Sequence, residues 1–235
     1  MALPKLNESP SYTVTIPSSG QETSFRPFLV KEQKALLIAY ETQDKQDMVR
    51  SIIRTIHACV EDPIDTKLTT FDVDYLFTKI RAKSVGETAD VQTKCSECDT
   101  TNEINIELDN IVLEGDVDAK TIELTDSVSV EMRFPTYEEF LKNPVLSEEG
   151  TMTEGLVELL ITCMDAVLTE EERVVLSDEP REAIVEFIDS MTASQFEKVA
   201  EFVNTMPAIS QTVEFTCQSC GHVNTRVLKG MDDFF

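Results

Sequence analysis

Two Cys-x-x-Cys pairs separated by more than half the chain constrain this sequence most. They are Lys94-Cys95-Ser96-Glu97-Cys98-Asp99 and Thr216-Cys217-Gln218-Ser219-Cys220-Gly221-His222. A Cys-x-x-Cys at a hairpin tip turns two sulfurs inward, and two facing tips supply four thiolates to a tetrahedral zinc ion. Thiolate ligands suit zinc, which needs no redox change. Zinc ribbons space their pairs roughly 15 to 20 residues apart, whereas about 120 intervene here. The fold must therefore bring two distant hairpins together, and a shared ion would close a very long loop. Cys95, Cys98, Cys217 and Cys220 are read as ligands of one structural zinc, with no open position for catalysis.

The alternatives are specific. A redox Cys-x-x-Cys opens a helix after a strand, where the helix terminus lowers the thiol pKa, and neither pair precedes a convincing helix. Structural disulfides are disfavoured in the cytosol. Iron–sulfur ligation, separate use of each pair, and His222 as a substitute ligand are less favoured readings. Cys59 and Cys163 sit within apolar helical patterns and are read as core. His57 has no visible partner.

Around the cysteines the chain reads as helical blocks alternating with short strands. Tyr12–Ile16 and Glu22–Phe25 form a hairpin across Pro17-Ser18-Ser19-Gly20. Helices are predicted over Val30–Thr42, over the apolar steps Val49, Ile52, Ile53, Ile56, Cys59 and Val60, and over Thr70–Lys83. Strands follow at Thr88–Lys94 and Glu103–Leu108, then at Lys120–Leu124 and Val128–Phe134. Helices are predicted at Thr136–Leu141 and Gly155–Leu168, after Pro180, and from the capping box Thr192-Ala193-Ser194-Gln195 to Val203. Strands at Gln211–Thr216 and His222–Leu228 flank the second pair, and Gly230-Met231-Asp232-Asp233-Phe234-Phe235 is acidic, then aromatic. The fold class is α+β, with the two Cys-x-x-Cys hairpins joined in a zinc-ribbon-like site. The segments are 1–87, a hairpin plus helical block; 88–134, β-rich with the first knuckle; 135–209, helical; and 210–235, the second knuckle and tail. They are read as one compact unit.

Composition narrows function by exclusion. With 235 residues, 41% of them apolar, the chain builds a core without disulfide support. No run of about twenty apolar residues offers a membrane-spanning helix. Met1–Leu6 lacks the basic start and apolar stretch of a secretory signal, so the protein is expected to be cytosolic where it is made. A net charge of −24 opposes binding to phosphate backbones or anionic lipid; it can steer the protein towards basic partners, or serve solubility alone. None of the seven glycines forms a dinucleotide or phosphate-cradling loop; Gly150 and Gly155 have part of the latter spacing, but Leu156 stands where lysine is required. Two histidines and no nucleophile elbow give a hydrolytic triad no foothold, and runs such as Glu170-Glu171-Glu172 read as solvated faces. No enzyme is indicated.

Phe25-Arg26-Pro27-Phe28-Leu29-Val30-Lys31-Glu32-Gln33-Lys34 resembles a segment near the N-terminus of the baseplate hub subunit family of T-even-type contractile-tailed phages. Phe71-Asp72-Val73-Asp74-Tyr75-Leu76-Phe77, continuing to Ile80-Arg81-Ala82-Lys83-Ser84-Val85-Gly86-Glu87, resembles a second, and the first cysteine pair and the aromatic tail are similar too. The resemblance is strongest over roughly the first hundred residues. It implies a non-enzymatic protein of baseplate hub structure or assembly, whose partners are other hub and tail proteins rather than nucleic acid, membrane or a small-molecule substrate. It places the protein in the host cytoplasm during assembly, with the virion baseplate as a further location. It carries over Cys95 and Cys98 as the family's knuckle, with Cys217 and Cys220 as its partner. No role follows for Arg26, Pro27 or Phe28; Pro27 is read as setting the strand exit and Phe28 as filling core. From the cysteines alone, the competing functions are a zinc-ribbon nucleic-acid-binding or regulatory protein and a thiol-redox enzyme.

Overall fold

The computed structural model describes residues 10–42, 44–64, 67–118, 120–143 and 151–234, so the readings of Met1–Leu6, Gly150 and Phe235 lie outside it. Helices and small antiparallel sheets make the chain α+β. It divides into two units: Met1–Lys67, Phe71–Glu114 and Ala208–Phe235 form the first, and Leu68–Thr70 with Gly115–Pro207 the second.

The first unit opens with the hairpin of β1 (Tyr12–Thr15) and β2 (Glu22–Phe25), followed by α1 (Val30–Thr42), α2 (Lys45–Cys59) and α3 (Thr70–Ser84). α2 starts before its apolar pattern does because Asp44 caps it, accepting from the backbone N–H of Gln46 and Asp47 at 2.8 and 3.1 Å. At its other end Arg26 donates to the Ala58 carbonyl at 2.8 Å, placing a cation on the negative end of the helix. The same guanidinium donates to Glu32 of α1 at 3.0 Å, and Glu32 accepts from the Leu29 N–H at 2.9 Å. Arg26 thus ties the exit of β2 to two helices. Phe28 is half-buried rather than a core residue, and its N–H donates to Ser84 Oγ. Asp72, fully buried, accepts from the N–H and hydroxyl of Ser18 and anchors α3 to the first hairpin turn.

Two further hairpins complete this unit. β3 (Thr88–Lys94) pairs with β4 (Thr101–Glu107), and β10 (Ala208–Thr216) pairs with β11 (Val223–Lys229). β5 (Val112–Glu114) adds to the far side of β10, a short strand without its own sequence signal. Ala89, Val91 and Ile106 from the first of these hairpins share one core with Val213 and Leu228 from the second, together with Ala82 and Leu108. Phe234 of the C-terminal tail inserts into it, 1% exposed.

The second unit carries a four-stranded sheet in the order β6 (Thr121–Glu123), β7 (Val128–Met132), β8 (Met164–Thr169), β9 (Arg173–Val175). Helices α4 (Tyr137–Lys142), α5 (Met152–Cys163), α6 (Arg181–Asp189) and α7 (Ala193–Asn204) accompany it. Val130, Met132, Leu160, Cys163, Ile188 and Phe202 are among its buried core. Three of the helices begin in capping boxes: Thr136 with Glu139, Thr151 with Glu154 and Thr192 with Gln195. The helix predicted over Gly155–Leu168 ends at Cys163, and Met164–Thr169 is instead the strand β8, paired on both edges. An apolar run satisfies helical and strand periods alike, and here pairing with β7 and β9 decides. Among the described residues no helix is long and apolar enough to cross a membrane.

Candidate metal centre

Each cysteine pair occupies the tip of a hairpin, and the two tips have the same backbone. In the first, the Cys95 N–H donates to the Thr100 carbonyl at 3.0 Å and the Asp99 N–H to the Cys95 carbonyl at 3.1 Å. In the second, the Cys217 N–H donates to the His222 carbonyl at 2.8 Å and the Gly221 N–H to the Cys217 carbonyl at 3.0 Å. The turn needs a left-handed residue four places after its first cysteine. Gly221 supplies it with φ 74°, and Asp99 supplies it with φ 54°. Asp is among the few residues other than Gly that tolerate this region.

The tips face one another. Cys95 Sγ lies 3.7 Å from Cys220 Sγ, and Cys98 Sγ lies 3.6 Å from Cys217 Sγ. All four sulfurs fall within 4.8 Å of one another, close enough to hold a metal ion. Bonds of about 2.3 Å to a tetrahedral ion set sulfurs about 3.8 Å apart, so the short contacts match such a site. Both run between hairpins rather than within a Cys-x-x-Cys. Cys95 and Cys217 are buried, and Cys98 and Cys220 are exposed.

Two asparagines lock the tips together reciprocally. Asn224 of β11 reaches into the first tip, where its Oδ1 accepts from the N–H and hydroxyl of Ser96, each at 2.9 Å. Its Nδ2 donates to Cys95 Sγ at 3.5 Å and to the His222 carbonyl at 3.1 Å. Asn102 of β4 does the same to the second tip: Oδ1 accepts from the Gln218 N–H at 2.9 Å, and Nδ2 donates to Cys217 Sγ at 3.6 Å and to the Thr100 carbonyl at 2.8 Å. Both asparagines are 3% exposed. Their signal was present in the sequence as C-x-x-C-x-x-x-N occurring twice, with the asparagine four residues after each second cysteine. Arg226 adds one more tie, donating to the Lys94 carbonyl at 2.9 Å.

The electrostatics of the cluster are uneven. Backbone N–H groups of Cys220 and Ser219, with the Asn102 amide and Cys98, bring the Cys217 thiol down to about 6 against the cost of burial. Burial opposes ionisation of Cys95 as well, yet the N–H groups of Glu97 and Cys98 and the Asn224 amide outweigh it and lower its pKa. Cys220 goes the other way, up to about 12: the His222 N–H favours its thiolate, but the three neighbouring cysteines and burial together oppose it. Crowded sulfurs cannot all carry negative charge unless a cation shares the space. The donor set therefore fits a soft divalent metal.

The other sequence candidates lie elsewhere. His222 contributes backbone groups, its side chain is exposed, and the four-residue grouping does not include it. Cys59 and Cys163 are buried in their helices, and burial pushes their thiols up to about 11 and about 12. Each Cys-x-x-Cys leads through its turn into a strand, not a helix, so the helix-terminus activation of redox thiols is missing at both.

A family model described as T4 bacteriophage base plate protein matches residues 9–235, and the chain belongs to that family. The match takes in both segments that carried the resemblance and all four clustered cysteines. No curated protein and no solved structure matches the chain.

Proposed function

We propose that this base plate family member is a non-enzymatic structural or assembly subunit of the phage tail baseplate hub, stabilised by one structural zinc. Family membership over residues 9–235 is the observation that carries this reading. Cys95, Cys98, Cys217 and Cys220 are the proposed ligands; the ion would supply a cross-link and charge compensation, with all four positions taken by sulfur. The hairpins form a zinc-ribbon-like pair in which each asparagine holds the opposite tip. A net charge of −24 supports protein partners, other hub and tail components, over nucleic acid or membrane. Assembly in the host cytoplasm and incorporation into the virion baseplate follow from the same reading.

Two measurements test its two parts. Elemental analysis of protein purified under reducing conditions should find one zinc per chain, lost in a Cys95→Ser/Cys217→Ser double variant. Iron in place of zinc, or no metal after expression in zinc-replete medium, would remove the zinc. Pull-down after co-expression with the other hub proteins should recover at least one of them; recovery of none would remove the hub role.

A further inference from the structure

The outward face of α1 carries several exposed apolar side chains. This helix buries Glu32 and Ala39 on the side packed against α2, while Val30, Leu37 and Ile38 stand 64, 55 and 63% exposed. Val30, Lys34, Leu37, Ile38 and Glu41 recur at helical spacing and share that face. Three apolar side chains aligned on one solvent-facing stripe are a candidate contact surface, and the charges beside them decide what it can take. The charges around it differ from the rest of the chain: two lysines, Lys31 and Lys34, cancel two glutamates, Glu32 and Glu41, so α1 is neutral within a chain of −24.

The pattern is complementary to itself. Lys34 and Glu41 lie seven residues apart, two turns, with Leu37 and Ile38 midway between them. Antiparallel pairing of two copies about a two-fold axis between Leu37 and Ile38 sets Lys34 against the partner's Glu41 and Glu41 against the partner's Lys34. The four aliphatic side chains meet at the axis. Such an isologous contact is the commonest route to a homodimer. Among the described residues, no ion pair within the chain engages Lys34 or Glu41. We propose that α1 is a self-association surface, pairing antiparallel with α1 of a second copy through Leu37 and Ile38 flanked by reciprocal Lys34–Glu41 contacts. The inference does not rest on the baseplate or zinc readings.

A helix of 13 residues is about 20 Å long, so this contact alone falls below the roughly 800 Å² per partner of a stable complex, and the dimer is weak. Two chains of like charge also repel, and at physiological salt a Debye length of about 8 Å screens that repulsion while groups in contact still interact. The test is sedimentation velocity of the full chain in that salt, from about 10 μM to about 1 mM, a range spanning weak association. The expected result is a monomer–dimer equilibrium. Leu37→Asp should raise the dissociation constant at least about tenfold with an unchanged circular dichroism spectrum. Lys34→Glu and Glu41→Lys should each weaken the dimer, and the double variant, which restores opposite charges across the axis, should recover it. A wild-type chain monomeric throughout the range overturns the proposal, including the case where it associates only with another tail protein. A dimer indifferent to Leu37→Asp, or one the double variant fails to recover, places the contact elsewhere and overturns it equally.

Discussion

Replacing Asn224 with alanine should open the hairpin to which Asn224 does not belong. The side chain makes four hydrogen bonds: from the Ser96 N–H and hydroxyl at 2.9 Å, to Cys95 Sγ at 3.5 Å and to the His222 carbonyl at 3.1 Å. Truncation leaves the Ser96 N–H without its acceptor, and because Ser96 lies at the exposed tip, where water can replace the bond, the cost is that of an ordinary net hydrogen bond, about 1 kcal/mol. It also removes a donor to a sulfur, worth about 1.5–3 kcal/mol when that sulfur is ionised. A loss of about 3 kcal/mol in local stability is the central figure, and at about 1.4 kcal/mol per tenfold it accelerates exchange of the Ser96 amide by about two orders of magnitude. The assay is native hydrogen exchange resolved to single amides. Asn102→Ala should give the mirror result at the Gln218 amide, somewhat smaller because Asn102 accepts from a backbone N–H alone, with no counterpart of the Ser96 hydroxyl. Asn224→Asp separates the two halves of the interaction, since it keeps the acceptor and sets a negative charge beside Cys95 where a donor stood. It should protect the Ser96 amide better than alanine does, while weakening metal binding more. If Asn224→Ala left Ser96 exchange unchanged, or loosened only residues of its own hairpin, the reciprocal lock would be wrong.

Four other substitutions have expected signs. Cys217→Ser should raise exchange around Cys95 as well as around Cys220, because the proposed shared ion would couple the tips; unchanged exchange at Cys95 in a zinc-bearing variant would exclude one shared site. Burial alone raises the Glu139 pKa, but two hydrogen bonds from Arg133 and those from Thr136 bring it down to about 2 from an ordinary 4.5. Its stabilisation is therefore complete above 4.5 and lost as pH falls through about 2, so the gap in melting temperature between wild type and Glu139→Gln should close over that window; a pH-independent gap would contradict it. A Cβ on Gly115 would lie 2.7 Å from Pro207 Cα with φ at 120°, so Gly115→Ala should cost about 1–3 kcal/mol in denaturant titration, whereas Gly155→Ala, in α5 with open space around it, should gain up to about 1 kcal/mol.

The hairpins were legible because alternation and turn chemistry are local. Thr88–Lys94 is the strand the sequence implied, and the strands around the second pair shift by three residues or fewer at each end. The asparagines are less legible because a polar residue in a strand reads as its solvent face; only the repeated spacing after each Cys-x-x-Cys distinguishes Asn102 and Asn224 from Asn105, which pairs with Asp90 at the surface. β8 was hidden for another reason: Met164 and Val167 extend the helical stripe of Leu156, Leu159, Leu160 and Cys163, and nothing local announces that β7 and β9 are waiting on either side. Helical period likewise identified α1 without disclosing which side of it is covered, since periodicity reports amphipathicity and not the identity of what packs there.

These contacts change what a metal at the cysteines would do. Read from sequence, the ion is a staple that draws two remote hairpins together. In the folded unit the hairpins already share a core through Val91, Ile106, Val213 and Leu228, and the asparagines and Arg226 fix the tips against each other with backbone partners. The sulfurs lie within 4.8 Å of one another, and so close a set raises a difficulty of charge, since N–H donors lower the Cys217 thiol pKa while the neighbouring cysteines raise that of Cys220. A divalent cation removes that conflict by neutralising the thiolates where they stand. Packing and the asparagine hydrogen bonds orient the cysteine-bearing tips, so metal affinity should depend on Asn102 and Asn224 as well as on the cysteines themselves. Chelation should then loosen the tips while β3 and β10, anchored in the shared core, keep their exchange protection. Global unfolding on chelation would mean that the ion, and not the core, holds the two hairpins together.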